Sequence, residues 1–280
     1  MKTYPRVLTI AGSDSGGGAG IQADIKSISA TGSYAASAIT AVTVQNTLGV
    51  EAVHPVPVET ISAQIRAVLS DIGADAIKIG MLHSAEVVLA VRDSLLQAES
   101  EGWLPRPYNI VLDPVMVATS GHRLIEESAI KVLTEELLPL ARVITPNIPE
   151  AEILAGSSIS SQDELPAVAR ELSRKASKTA PVSVLMKAGH LTDDRLVDIF
   201  YNAEEDRIVE LPSSRIDTPN THGTGCTLSS AFASFLAQRF PLDEAARAAT
   251  DYIHNAIVSG AGYSVGHGHG PVNHFWESRR

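Results

Sequence analysis

The residues best suited to chemistry lie in the run Asn220-Thr221-His222-Gly223-Thr224-Gly225-Cys226-Thr227-Leu228. Two glycines flank a threonine, the chain's one cysteine follows, and a helical pattern starts at once with Leu228, Phe232 and Phe235. A glycine-rich turn feeding a helix presents unpaired backbone N–H groups and the positive end of the helix dipole, an arrangement that suits a phosphate or a developing anion. Thr224 or Thr227 is expected to cap the first turn. At this position the dipole is expected to acidify the Cys226 thiol, so that a thiolate accepts a proton from a substrate hydroxyl or attacks as a nucleophile. The plainer reading of a lone cysteine is a small buried apolar residue.

Other candidates sit just past apolar segments that read as strands. Asp113 and Glu150 are carboxylates fit for Mg²⁺, although Asp113 before Pro114 also reads as a turn. Asn147 and Glu150 flank a helix start, where they could equally cap it. Lys187 follows an apolar strand and precedes Ala188-Gly189, a place for a phosphate partner. Gln45 offers a donor and an acceptor together, as a heterocycle edge requires, or belongs to a polar turn with Asn46. Asp24, among Ile21, Ile25 and Ile28, reads from spacing alone as part of a solvated helix face. His267, His269 and His274 are a weak metal signal, because no cysteine or carboxylate cluster accompanies them.

The elements that position these groups alternate. Arg6 to Ile10 reads as a strand, the glycine-rich Ala11 to Gly20 equally as a ligand-binding loop or a mobile connector, with Gly12 to Gly20 the candidate to close over substrates, and Ile21 to Gly32 as a helix. The turn lacks the Gly-Lys-Ser/Thr ending of a P-loop and the glycine spacing of a dinucleotide fold. Ala35 to Val44 reads as one strand, Thr60 to Gly73 as a helix, Ala76 to Ile79 as a strand and Ser84 to Gln97 as a helix. Tyr108 to Leu112, Arg142 to Thr145 and Val182 to Met186 read as strands, separated by helices over Leu124 to Leu138 and Leu165 to Lys178. Val197 to Tyr201 and Arg207 to Leu211 form a hairpin, and Leu242 to Val258 is a last helix. Alternation of this kind implies a mostly parallel sheet covered on both faces, with ligands beyond the carboxyl ends of its strands. Gly12, Gln45, Met81, Asp113, Asn147 and Lys187 are therefore expected on one rim. A single α/β domain over residues 1–280 is the default at this length.

Composition bounds the function. Hydrophobic residues make up 44% and charged residues 19%, an ordinary globular mix without a membrane-length apolar run. The formal net charge of −10 argues against a nucleic-acid partner. An anionic substrate then needs local positive charge. The start shows no signal peptide, and one cysteine suits a reducing cytoplasm.

The motifs together resemble the hydroxymethylpyrimidine/phosphomethylpyrimidine kinases of thiamine biosynthesis, in the ribokinase-like superfamily. The resemblance is carried by Thr9-Ile10-Ala11-Gly12-Ser13-Asp14, Gly16 to Asp24, Val44-Gln45-Asn46-Thr47, Lys78-Ile79-Gly80-Met81-Leu82, Asp113-Pro114-Val115-Met116, Thr145 to Glu152, Asn220 to Leu228 and Gly270 to Phe275. It implies a three-layer α/β/α sandwich that uses MgATP to phosphorylate 4-amino-5-hydroxymethyl-2-methylpyrimidine and then its monophosphate. It also implies that Gln45 contacts the pyrimidine, with Gly12, Asp24, Met81 and Val115 shaping the pocket. Asn147 and Glu150 would organise Mg²⁺ and phosphate with Asp113, and Lys187 and Thr224 would face the nucleotide. Gly223 to Cys226 would form the anion hole, with Cys226 in the place of a catalytic aspartate. A homodimer is implied as well.

Two positions depart from the family pattern. Ala188 replaces a glycine before Gly189-His190, and His267 replaces a lysine in the tail. An alanine is tolerated if its φ is negative; the imidazole removes a fixed charge. Competing readings are a pyridoxal or pyridoxine kinase of the same fold, a sugar kinase, which the cysteine disfavours, and a catalytically idle ligand-binding regulator, which the retained Asn147, Glu150, Lys187 and Cys226 argue against.

Overall fold

The computed structural model describes residues 3–116, 125–189 and 195–278. Strand β1 (Arg6–Ala11) enters the glycine-rich turn, and helix α1 (Gly20–Ala30) leaves it. Next come β2 (Tyr34–Ile39), β3 (Ala41–Asn46), β4 (Gly49–Pro55) and α2 (Val58–Asp71). β5 (Ala76–Ile79), α3 (Ala85–Ser100), β6 (Ile110–Leu112) and α4 (Glu127–Val132) follow. The second half holds β7 (Val143–Ile144), α5 (Ile148–Ala155), α6 (Leu165–Ala176), β8 (Ser183–Met186), β9 (Arg195–Asn202), β10 (Arg207–Ser214), α7 (Thr224–Ala237) and α8 (Leu242–Gly260).

Among the described residues the main sheet runs β10-β9-β8-β7-β6-β5-β1-β2. Its pairings are parallel from β2 to β8, and β9 is antiparallel to both its neighbours, so the expected hairpin forms. Strand side chains alternate between faces. Leu8, Ile10, Ile77, Ile79, Ile110, Leu112, Ile144, Val184 and Met186 pack under helices that include α2, α3 and α6. Val7, Ala76, Val111, Val143, Leu185 and Phe200 face α7 and α8. These two cores are the outer interfaces of an α/β/α sandwich.

Several expectations are corrected. Ala35 to Val44 is two strands, not one: β2 belongs to the main sheet, whereas β3 pairs antiparallel with β4 in a separate ribbon. The chain turns at buried Thr40, whose hydroxyl donates to the Met81 carbonyl at 2.9 Å and whose N–H donates to Ala11 O. Gln45 therefore reaches the rim on a hairpin rather than beyond a strand of the main sheet. The helix over Leu124 to Leu138 is shorter in α form, starting at Glu127 and continuing through wider and tighter turns to Leu140; Leu124 lies outside the described residues. Ile25 is largely exposed, and α1 instead buries Ile21, Ala23, Asp24, Ser27 and Ile28.

Candidate functional site

A cleft of about 580 Å³ opens along the carboxyl ends of the main-sheet strands. It collects Gly12, Gln45, Met81, Asp113, Asn147 and Lys187, the six positions expected on one rim, together with Val115, Glu150, Gly223, Thr224, Gly225 and Cys226.

Its centre is the start of α7. Neither threonine caps this helix. The N-cap is Gly223, with φ +81° and no side-chain cap. A Cβ at Gly223 would run into the Gly18 carbonyl, so the left-handed turn and the close approach of the two loops both require glycine. Thr224 opens the helix, and Thr227 is buried with its Oγ1 3.1 Å from His274 Nε2. His274 is thus a core residue whose burial pushes its pKa down to about 4. Among the described residues no three or more His, Cys, Asp or Glu side chains cluster in a way that could hold a metal ion.

Cys226 sits half-buried in the first turn of α7. The expected thiolate is corrected here. Burial pushes the thiol up to about 11, with the Asp24 and Asp113 charges adding to it, against Lys78 and a hydrogen bond from the Gly20 backbone. Desolvation is the largest of these effects and favours the thiol over the thiolate.

An ion pair lies directly beneath this turn. Lys187 Nζ meets Asp113 Oδ1 at 2.9 Å, and Thr145 Oγ1 donates to the same oxygen at 3.0 Å. A Cβ on Gly225 would stand 3.2 Å from both Lys187 Nζ and Asp113 Oδ2, so the ion pair lies close to the α7 turn and any side chain there would crowd it. Burial works against the Lys187 charge, but Asp113 and Glu150 hold its pKa above the ordinary value. Ala188 is not among the described non-glycine residues with positive φ, which are Asp206 and Arg239, so it fits where the family pattern has glycine. His190 lies outside the described residues.

Asn147 and Glu150 form a capping box at α5: each accepts the other's backbone N–H at 2.9 Å. This structural role does not exhaust Glu150. It is 4% exposed, and burial with the nearby Asp113 charge raises its pKa to about 7, against the opposing Lys187. A carboxyl held this way gains from an added cation. Asp113 and Glu150 are hard oxygen donors too few for an all-protein cage. They fit a Mg²⁺ that takes most of its ligands from phosphate and water.

Asp24 is corrected on both counts: it is neither solvated nor part of the cleft lining. It is fully buried, with Lys78 Nζ at 2.9 and 3.0 Å from its two oxygens. Thr9 Oγ1 and Ser230 Oγ donate to it at 2.6 and 2.7 Å. Lys78, not Asp24, lines the cleft from below. The pair ties β5 to α1 and α7 under the anion hole.

Sequence reasoning missed Lys78 as a site residue, because a lysine inside an apolar strand gave no sign of its partner. It missed Asp198 too, whose Oδ1 accepts the Ala188 N–H at 2.7 Å and whose burial raises it to about 6, against that hydrogen bond and Lys187. Asp14 and His222 were only letters of motifs. Asp14 in fact holds the glycine-rich turn closed, accepting from the N–H groups of Gly16, Gly18 and Ala19 at 2.8 to 3.0 Å.

Comparison with known proteins adds a second line of support. A family model described as phosphomethylpyrimidine kinase matches residues 14–273. The hydroxymethylpyrimidine/phosphomethylpyrimidine kinase of Rhizobium meliloti is 48% identical over 96% of this chain and 96% of its own. That of Haemophilus influenzae is 44% identical over the full length of both. Among solved structures, the ADP complex of Bacillus subtilis pyridoxal kinase is similar with TM-score 0.86 at 32% identity, covering 99% of this chain and 100% of that one. The phosphomethylpyrimidine kinase of Clostridium difficile 630 gives TM-score 0.73 at 42% identity, covering 90% and 99%.

Proposed function

The chain belongs to the phosphomethylpyrimidine kinase family, and from that membership we propose how its cleft works. The protein is a phosphotransferase. It moves the ATP γ-phosphate to the hydroxymethyl group of 4-amino-5-hydroxymethyl-2-methylpyrimidine and then phosphorylates the monophosphate to the diphosphate, within thiamine biosynthesis. One observation carries the reading: the backbone turn Gly223 to Cys226 opens directly over the Lys187 ammonium, in the same cleft as Gln45.

The aminopyrimidine lies at the end lined by Gly12, Gln45, Met81 and Val115. Asp24 serves this pocket from beneath, through Lys78. The nucleotide lies at the other end, lined by Ser213 to Ile216, Ile253 and Ile257. Among the described residues the buried Thr250 hydroxyl there has no protein partner, which leaves a hydrogen bond for a ligand. Asn147, Lys187 and Thr224 face the phosphates between the two ends. Mg²⁺, held by Glu150 and Asp113 with the phosphates, would supply charge neutralisation on the transferring group.

Transfer asks the protein mainly for position and charge. The N–H groups of the α7 turn donate to the γ-phosphate oxygens, each contributing about 3 kcal/mol at the transition state. Lys187 neutralises a second oxygen. Cys226 meets the acceptor: as a thiol it orients the hydroxyl, and it becomes a base only after losing its own proton. The monophosphate acceptor is already anionic and needs no base. We further propose a single cytoplasmic domain acting as a homodimer; among the described residues exposed Tyr34, Val42, Val44 and Leu48 give β2, β3 and the adjoining turn an apolar surface. No described helix is long and apolar enough to cross a membrane.

The test is coupled ADP release with the aminopyrimidine, its monophosphate and pyridoxal, each alone. Turnover of the first two supports the reading. Turnover of pyridoxal alone would make the chain a vitamin B6 kinase, and silence with all three an idle binder. Relatives at 40–48% identity carry the pyrimidine-kinase name, whereas the pyridoxal kinases stand at 30–32%.

A further inference from the structure

Asp14, His222, Gln45 and Thr43 meet at the ring end of the cleft. His222 Nε2 lies 2.8 Å from Asp14 Oδ2. Burial works to raise the Asp14 carboxyl, but the hydrogen bonds from His222, Ala19 and Gly16 hold it below the usual carboxylate range. An ionised carboxylate only accepts, so Nε2 carries a proton whether the ring is neutral or cationic. The Gln45 amide end nearest His222 is 3.4 Å from that same nitrogen. If that end is the NH₂ group, two donors oppose each other. The other end lies 3.3 Å from Thr43 Oγ1, whose single proton already goes to the Ser13 carbonyl at 2.7 Å. An amide oxygen there would face a hydroxyl with only lone pairs to offer. Carboxamide oxygen and nitrogen are assigned from such networks. One orientation avoids both clashes: Oε1 faces the His222 Nε2–H, whose main acceptor is Asp14 and which it shares at 3.4 Å, and Nε2 donates to Thr43.

We propose that His222, held by Asp14, is a positioning residue that fixes the Gln45 carboxamide in this single orientation and thereby sets which ring the cleft prefers. The inference rests on Gln45 contacting the ring. A fixed amide offers its second N–H and its second lone pair in a fixed order. A 4-aminopyrimidine edge matches that order, with a ring-nitrogen acceptor beside an amino donor. The pyridine ring of pyridoxal instead carries a phenolic hydroxyl and an aldehyde. A freely turning amide adapts to either ring; a locked one discriminates. His222 has little room to move, since its ring edge lies against Gly18, where a Cβ would stand 2.5 Å from His222 Cδ2.

The experiment measures kcat and KM for the aminopyrimidine and for pyridoxal in the wild type, His222→Leu, His222→Gln and Thr43→Val. Where pyridoxal is not turned over, it is assayed as a competitor. Freeing the amide costs one oriented hydrogen bond, roughly a threefold to tenfold change in selectivity. Both His222→Leu and Thr43→Val are expected to lower the aminopyrimidine-to-pyridoxal ratio of kcat/KM by that factor, with KM rising more than kcat falls. Thr43→Val tests the lock without touching the anion-hole turn. His222→Gln keeps an N–H donor near the Nε2 position and is expected to restore the ratio. An unchanged ratio in both His222→Leu and Thr43→Val overturns the orientational role. Gln45→Leu separates the premise: an unaltered aminopyrimidine KM in that variant overturns the ring contact itself.

Discussion

Glu150→Gln should make the ligand-free protein more stable at high pH while disabling it as an enzyme. Glutamine keeps the capping box, because an N3 amide can accept the Asn147 N–H as the carboxylate does. What it removes is a buried negative charge. The folded pKa of Glu150 is raised to about 7 from an ordinary 4.5, by burial first and by Asp113 second. The folded state therefore binds the proton more tightly than the unfolded chain. The stability this provides is fully present below about pH 4.5 and is lost as pH rises through about 7. At 1.36 kcal/mol per pKa unit, the ionised group costs up to ~3 kcal/mol at pH 8 and less than ~1 kcal/mol at pH 5. For a chain of this length ~3 kcal/mol corresponds to roughly 5 °C in Tm. The assay is thermal unfolding of wild type and variant at pH 5 and pH 8, without nucleotide or Mg²⁺, alongside coupled turnover. The variant is expected to melt about 5 °C higher at pH 8 and within about 2 °C at pH 5. A variant less stable than wild type at pH 8, or a difference that does not change between the two pH values, would refute the argument that this carboxylate waits for a cation.

Other outcomes follow from the same geometry. Cys226→Ala should slow the first phosphorylation by about 10²-fold and the second by much less, since only the first acceptor carries a proton to lose; equal losses in single-turnover assays would assign the thiol to positioning in both steps. If a thiolate is the base, the wild-type first-step kcat/KM should climb through pH 8 to 10 toward the raised thiol pKa of about 11, and a flat profile there would contradict it. Lys78→Met leaves Asp24 buried without its cation and should cost about 3–5 kcal/mol in urea unfolding, most of which the double variant with Asp24→Asn recovers. Gly223→Ala should lower kcat by roughly 10²-fold for both acceptors, because the left-handed turn and the Gly18 contact cannot persist and the backbone donors move off their target.

Much of this arrangement can be read from the chain. Alternating apolar runs and helical patterns are local signals, and they place β1, β5, β6, β7 and β8 and hence the rim they share. The capping box at Asn147 and Glu150 is a four-residue pattern, so its structural role is visible early. What escaped depends on partners far apart in sequence. Asp24 sits in a helix whose spacing suggests a solvated face, yet its cation comes from Lys78. Cys226 has the position of an acidified thiol, yet the sulfur's desolvation is set by elements that pack against it and cannot be summed from its neighbours in the chain. The break at Thr40 was hidden because β-branched residues continue on both sides of it. Only the hydrogen bonds to Ala11 and Met81 show where the strand leaves the main sheet.

The tail carries a consequence for how the molecule is made. The segment around Gly268 lies against the tip of the β3–β4 hairpin, too close for any side chain at that position. His269 N–H donates to the Thr47 carbonyl at 2.9 Å, and His267 and Gly268 N–H groups reach Thr47 Oγ1 at 3.2 Å. These contacts span about 220 residues of chain. The hairpin that bears Gln45 is thus braced by a segment about 220 residues further along the chain. Most of the sheet can assemble before this segment is made, but the Gln45 hairpin is braced only through contacts of very high sequence separation, which form slowly. Integrity of the tail then governs the order of a distant loop: a copy nicked before Gly266 would keep most of its core and lose the brace on the hairpin that bears Gln45.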